Sequence, residues 1–129
     1  MAKKIFINLP VADLQKAMTF YTSLGFINNP KFTNEEAAWM TLSDEIYVML
    51  LTHPKFKEFT KKEIANTNTT ASVINSLSLD SREEVVEIVE KAIKAGCVAY
   101  SEAKDYGFML QRSFEDLDGH LWEAFFMDM

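Results

Sequence analysis

One order of elements occurs twice in this chain and narrows what it can fold into. A short β-type run, Ile5 to Leu9, is interrupted by Pro10 and followed by a helical pattern that opens at Asp13. Leu14, Ala17, Met18, Tyr21 and Leu24 recur at helical spacing and fall on one face. Asp13 suits an N-cap, because its carboxylate can accept a free N–H of the first turn, and Gly25 suits the residue that ends the helix. Much later the order returns. Val73 to Leu79 is β-like, and Ser81-Arg-Glu-Glu84 is a capping box, in which the serine accepts a helix N–H and the glutamate reaches back. Val85, Val86, Ile88, Val89, Ala92 and Ile93 then give a broad apolar face that Gly96 closes.

More β-type runs follow each helix. After a loop over 28–36, the runs Ala38 to Leu42 and Ile46 to Leu51 flank Ser43-Asp44-Glu45 and read as a hairpin. In the second half the runs are Val98 to Ser101, Phe108 to Phe114 and Leu121 to Met127, with Asp116-Leu-Asp-Gly119 turning between the last two. The second half therefore reads β-α-β-β-β, and the same order is expected of the first, where two of the three strands after the helix are picked out by their residues; the repeat is one of element order rather than of residues. A sheet with one helix buries little by itself, so the halves are expected to join. The expectation is one α+β domain over 1–129, built from a module at about 1–52, a linker at about 53–72 and a module at about 73–129.

The stretch between the modules, "HPKFKEFTKKEIANTNTTAS", is polar and lysine-rich. It is long for a connection inside a compact domain, which leaves two readings: a solvated linker with one helical turn, or a lid.

Bulk composition excludes several function classes. The 129 residues are 48% hydrophobic, enough for a packed core, and the net charge is −6. An acidic chain lacks the basic surface that nucleic-acid phosphates require. A single cysteine, Cys97, allows neither an internal disulfide nor a cysteine-based zinc site. No stretch approaches transmembrane length, and the apolar run after Lys3-Lys4 is too short for a signal peptide, so a cytoplasmic protein is expected.

Strand alternation then sorts side chains by face. In the run from Val73, the set Val73, Asn75, Leu77 and Leu79 should pack under a helix, while Ile74, Ser76 and Ser78 form a small, partly polar face. That second face lines a pocket or simply meets solvent. In the last run His120, Trp122, Ala124 and Phe126 share one side, and Leu121, Glu123, Phe125 and Met127 the other. Both sides are largely apolar, so the strand is expected to be covered on both. Glu123 then needs a partner, of which Arg112 is one candidate. Structural and functional roles for Glu123 stay open on these grounds.

Two segments carry a family resemblance. "IFINLPVADLQKAMTFYTSLGF" (5–26) resembles the first β-α unit of the vicinal oxygen chelate superfamily, which includes glyoxalase I, bleomycin-resistance proteins and extradiol dioxygenases. "FEDLDGHLWEAFF" (114–126) is similar to that superfamily's closing hairpin, in which a D-P-D-G turn precedes a glutamate. "DEIYVMLLTHPKFKEF" and "DYGFMLQRSFED" look closest to the bacterial group of predicted lactoylglutathione lyases. The resemblance implies paired βαβββ modules forming a curved mixed sheet with a concave cavity. It also implies a metal held by up to four side chains, one from the first and last strand of each module. Those positions fall on Phe6, Leu50, Ile74 and Glu123. Three of them cannot ligate, and a lone carboxylate does not hold nickel or zinc tightly.

The histidines are poor substitutes. His120 points to the side opposite Glu123 and suits bonding to turn or backbone groups, and His53 would need its loop to fold inward. There is no Gly-rich phosphate loop, and Cys97 has no histidine nearby in sequence. The leading expectation is a cytoplasmic homodimer that binds a small molecule of unidentified structure, with no cofactor, membrane or nucleic-acid partner. Phe6, Leu50 and Ile74 would form an apolar pocket floor, and Asn8, Ser76 and Glu123 its polar contacts. The alternatives are a glyoxalase-type lyase or dioxygenase-like metalloenzyme, with Glu123 as base and ligand to a divalent ion, and a non-catalytic interaction module.

Overall fold

The computed structural model describes residues 3–128. The chain divides into two compact units, one ending at Ala65 and the other beginning at Asn66.

In the first unit β1 (Ile5–Val11) leads into α1 (Leu14–Ser23), then β2 (Ile27–Asn29), β3 (Ala37–Thr41) and β4 (Ile46–Thr52). Asp13 caps α1, its carboxylate accepting from the Lys16 backbone N–H at 3.1 Å. The sheet order is β1-β4-β3-β2, with β1 parallel to β4 and the other pairs antiparallel. Pro10 does not end β1 as its position suggested; the strand runs through it to Val11. Proline is tolerated there because β1 is an edge strand of this sheet, where a missing N–H need not break a ladder on both sides. The loop expected at 28–36 is partly structured too. Ile27–Asn29 supplies the third strand after the helix, and Pro30–Phe32 forms a single 3-10 turn.

Packing follows from the register. Leu9 and Val11 of β1 share a face with Val48 and Leu50 of β4 and Ala38 and Met40 of β3. α1 lies on that face and buries Ala17, Phe20 and Tyr21. Leu50 is completely buried there. The core of the unit is therefore α1 against one face of the sheet.

The second unit repeats the plan. β5 (Ile74–Ser78) is followed by α3 (Arg82–Lys94), β6 (Lys104–Asp105), β7 (Met109–Glu115) and β8 (Leu121–Met127). The order is β5-β8-β7-β6, with β5 parallel to β8. Ser81 Oγ accepts from the Glu84 N–H at 3.1 Å, as the capping pattern anticipated. Val85, Ile88, Val89 and Ala92 bury against β7 and β8, over Trp122, Ala124 and Phe114. The strand expected at Val98–Ser101 does not form. That segment runs beside β7 and bonds it at isolated points, Val98 accepting from the Glu115 N–H at 3.0 Å, and the strand proper is Lys104–Asp105.

The stretch 53–72 is shared out between the units. His53–Phe56 forms a short helix, α2, capped by Thr52, in the first unit. Residues 66–70 belong to the second, where Thr67 Oγ donates to the Asp118 carbonyl. That close approach explains Gly119. Its φ is +83°, and a Cβ there would meet the Thr67 carbonyl oxygen at 2.6 Å. Only glycine satisfies both demands. Asp116 completes the turn by accepting from the N–H groups of Asp118 and His120. Among the described residues no helix is long and apolar enough to cross a membrane.

Candidate functional site

The period of two along a strand decides which predicted residues meet. In the second unit Ser76 pairs with Glu123, and Glu123 with Ser113, so all three project from one face. Ile74 and Gln111 stand on the same face, which α3 does not cover. The expectation that this strand is covered on both sides therefore fails within its own unit. Glu123 is half-buried and Ile74 is 51% exposed.

Glu123 is held at both oxygens. Ser76 Oγ donates to Oε1 at 2.7 Å, and Gln111 Nε2 donates to Oε2. Arg112, the candidate partner from sequence, lies on the other face and pairs with Glu90 of α3 at 3.0 Å. The reason is again alternation: Arg112 sits opposite Ala124, whose side chain points under the helix. Gln111, one position earlier, takes the role. Pairing β7 to β8 by alternation from the Asp116 turn would have found it.

A phenol feels the charge of this carboxylate. Tyr100 Oη is buried and is the one such side-chain atom with no hydrogen-bond partner among the described residues. Burial pushes its pKa up, and the charges of Glu123 and Glu115 push it further. It is therefore a protonated donor with nothing to donate to. Its chain neighbour Ser101 is tied to the sheet, its N–H donating to Ser113 Oγ at 3.1 Å. Sequence reading placed 98–101 as a plain strand and gave no hint of this contact.

In the first unit Phe6 and Asn8 share the face away from α1, with Tyr47, Met49 and Trp39. Leu50 does not join them. It pairs with Leu9, on the opposite face, beneath α1. The sequence alignment of this strand was out by one residue, and one residue inverts the face. Leu50 is thus a core residue and not part of a surface shared with Phe6.

The same registers test the metal that the resemblance implies. On the Phe6 face β4 offers Tyr47, Met49 and Leu51, and on the Glu123 face β5 offers Ile74, Ser76 and Ser78. Among the described residues no three His, Cys, Asp or Glu side chains come together as donors. Glu123 is the one strong donor at these positions, and both its oxygens already accept hydrogen bonds. These residues do not fit a divalent ion, which needs several N, O or S donors. His53 opens α2, and the His120 backbone closes the Asp116 turn, so neither completes a set. Cys97 is buried, its thiol pushed up to about 11 by burial and by Asp116 and Glu115, which makes it a poor nucleophile.

Known proteins share this architecture. Residues 3–43 match the family model for the bleomycin resistance protein-like N-terminal region. A hypothetical protein from S. aureus superposes with a TM-score of 0.80 at 26% identity, covering 98% of this chain and 95% of that one. A glyoxalase/bleomycin resistance protein/dioxygenase family enzyme from Burkholderia phytofirmans gives 0.81 at 15% identity, covering 98% and 99%. A fosfomycin resistance protein from Listeria monocytogenes gives 0.70 at 18% identity, covering 100% and 94%. No protein of curated function matches the sequence. The fold is that of the glyoxalase, bleomycin resistance and dioxygenase proteins, α+β with paired βαβββ modules. The likeness is therefore one of fold along the whole chain and of sequence over residues 3–43.

Proposed function

We propose that this protein binds a small molecule on the helix-free faces of its sheets, without a divalent metal, and that Glu123 is its principal polar contact. The observation that carries this reading is the arrangement around Glu123. A half-buried carboxylate is fixed by Ser76 and Gln111, forms no ion pair among the described residues, and acts electrostatically on the unpartnered Tyr100 hydroxyl. Polar groups left this way lose hydration without full compensation, and a ligand that supplies a donor to the carboxylate or an acceptor to the phenol recovers it. Phe6, Asn8, Ile74 and Ser76 stand on the corresponding open faces of their own sheets and supply further contact area. The protein is proposed to be a cytoplasmic homodimer, as the family resemblance suggests.

Thermal-shift screening of small molecules tests the reading, because a ligand at a hundredfold over its Kd raises stability by about 2.7 kcal/mol. Hits should lose most of their shift in Glu123→Gln. Hits indifferent to Glu123→Gln and to Tyr100→Phe would refute it. The alternative, a lyase of the lactoylglutathione lyase type with Glu123 as base, predicts a different result in metal analysis. Stoichiometric nickel, zinc, iron or manganese that survives dialysis, and is lost in Glu123→Gln, would overturn the metal-free reading in its favour.

A further inference from the structure

The first unit carries a second feature that the Glu123 site does not use. Four aromatic rings on the helix-free side of its sheet form a continuous cluster. Phe6 of β1 stacks on Tyr47 of β4 with centroids 4.5 Å apart and planes 10° from parallel. Trp39 of β3 meets Phe6 edge-on at 5.0 Å, and Phe32 stacks on Trp39 at 5.1 Å. Two of the rings are open: Phe6 is 41% exposed and Phe32 is 53% exposed. β1 is an edge strand of this sheet, so no further strand lies beyond Phe6 on its outer side. Exposed aromatic rings that stack on other rings keep little side-chain entropy to lose, which suits them to bind a flat partner.

The polar groups of the cluster are already committed. The Trp39 indole N–H donates to Thr41 Oγ at 3.0 Å, and the Tyr47 hydroxyl donates to the Asp44 carbonyl at 2.8 Å. Besides Asn8, what remains for polar recognition at the rings is the charge of two lysines. Lys4 Nζ sits 5.5 Å from the Tyr47 ring centroid and donates to its hydroxyl at 3.2 Å. Lys31 Nζ lies 5.9 Å from the Phe32 ring. Neither lysine forms a salt bridge among the described residues. None of the four strands of this sheet contains an aspartate or glutamate, in a chain whose net charge is −6.

From these features we infer that the first unit holds a binding platform for a planar aromatic anion. The ring system stacks on Phe6 or Phe32, and its carboxylate, sulfonate or phosphate group pairs with Lys4 or Lys31. The inference rests on the small-molecule reading above and adds the ligand's chemistry for this unit. It excludes a cationic aromatic, which the two ammonium groups would repel.

Three naphthalene probes of different charge test it: anilinonaphthalene sulfonate, the neutral phenylnaphthylamine of the same ring skeleton, and a phenylnaphthylamine bearing a trimethylammonium group. Probe emission gives the affinities, and quenching of Trp39 gives the place, since Trp122 is fully buried. The sulfonate should bind saturably and tightest. The double variant Lys4→Gln/Lys31→Gln should weaken it by about three- to tenfold, as expected for partly screened ion pairs, and leave the neutral probe unchanged. Phe6→Ala should weaken both. These side chains are exposed, so circular dichroism should find the variants folded. Equal affinity for the three probes, or a sulfonate indifferent to the lysine variants, would refute the anion preference and leave small-molecule binding standing. Absence of saturable binding by every probe, alongside Glu123-dependent hits in the thermal screen, would refute the platform alone. A face taken up by a second copy of the chain would show as a drop in sedimentation mass in Phe6→Ala with no probe binding, and would also overturn it.

Discussion

The two units have the same backbone plan and opposite chemistry on their open faces. Each joins its first strand in parallel to its last, and each lays one helix on one side of a four-stranded sheet. On the helix side the two are alike, with Leu50 and Met40 buried in one and Trp122 and Phe114 in the other. On the open side they part. The first unit shows a cluster of four rings flanked by lysines, and the second shows Glu123 held by Ser76 and Gln111. The covered face has to fill a space under a helix and so converges on apolar packing. The open face is free of that demand and can differ without disturbing the fold.

The sharpest test of this contrast sets one face against the other. Leu50→Ala should destabilise the protein by about 2–5 kcal/mol, as for other buried leucines, while Phe6→Ala costs less than about 1 kcal/mol. Urea unfolding measures both. Comparable losses would mean that the two residues do not lie on opposite faces. The next effect belongs to the second unit's turn. Gly119→Ala brings a Cβ to 2.6 Å from the Thr67 carbonyl at a positive φ. A loss of about 2 kcal/mol or more is expected, with protease sensitivity rising around residues 66–70.

Substitutions at the polar face should be milder. Glu123→Gln removes a hydrogen-bonded charge that is half-exposed, and should cost about 1 kcal/mol or less. It should also lower the Tyr100 pKa, read by tyrosine absorbance, because one of the charges raising it is gone. Arg112→Ala breaks an ion pair with an exposed glutamate and should cost about 0.2–1 kcal/mol, with no effect on ligands that depend on Glu123. A ligand effect in Arg112→Ala would place Arg112 on the wrong face.

The smallest expected effect is a pH dependence confined to the second unit. The Cys97 thiol is raised from 9.0 to about 11 in the folded state. The folded protein then holds a proton that the unfolded chain releases, so this contribution is intact below pH 9.0 and is lost as pH rises towards about 11. Cys97→Ala should flatten that part of the alkaline stability profile.

Much of this was legible in the sequence. Both helices end where their caps and glycines predict, and Ser81 and Asp13 cap as their spacing implies. The final hairpin and the isolation of Glu123 among the implied ligand positions were also readable. The misses are physical rather than random. Ile27–Asn29 is a strand of three residues with two asparagines, too short and too polar for an alternation signal, and it forms because β3 offers it an edge. Val98–Ser101 has the composition of a strand, yet it touches β7 only at isolated bonds, and the buried Tyr100 hydroxyl feels the charges of Glu123 and Glu115.

By itself the sequence determined both main helices, their caps and the strands that precede and follow them, because those follow from local periodicity and residue type. Tertiary structure alone decided which face each strand residue takes. In "YVMLLT" both alternating sets are apolar, so pattern cannot choose between Leu50 and its neighbours; the pairing of Leu9 with Leu50 chose. The same step gave Glu123 to Gln111 instead of Arg112. A strand has a period of two residues, and a shift of one exchanges core for surface.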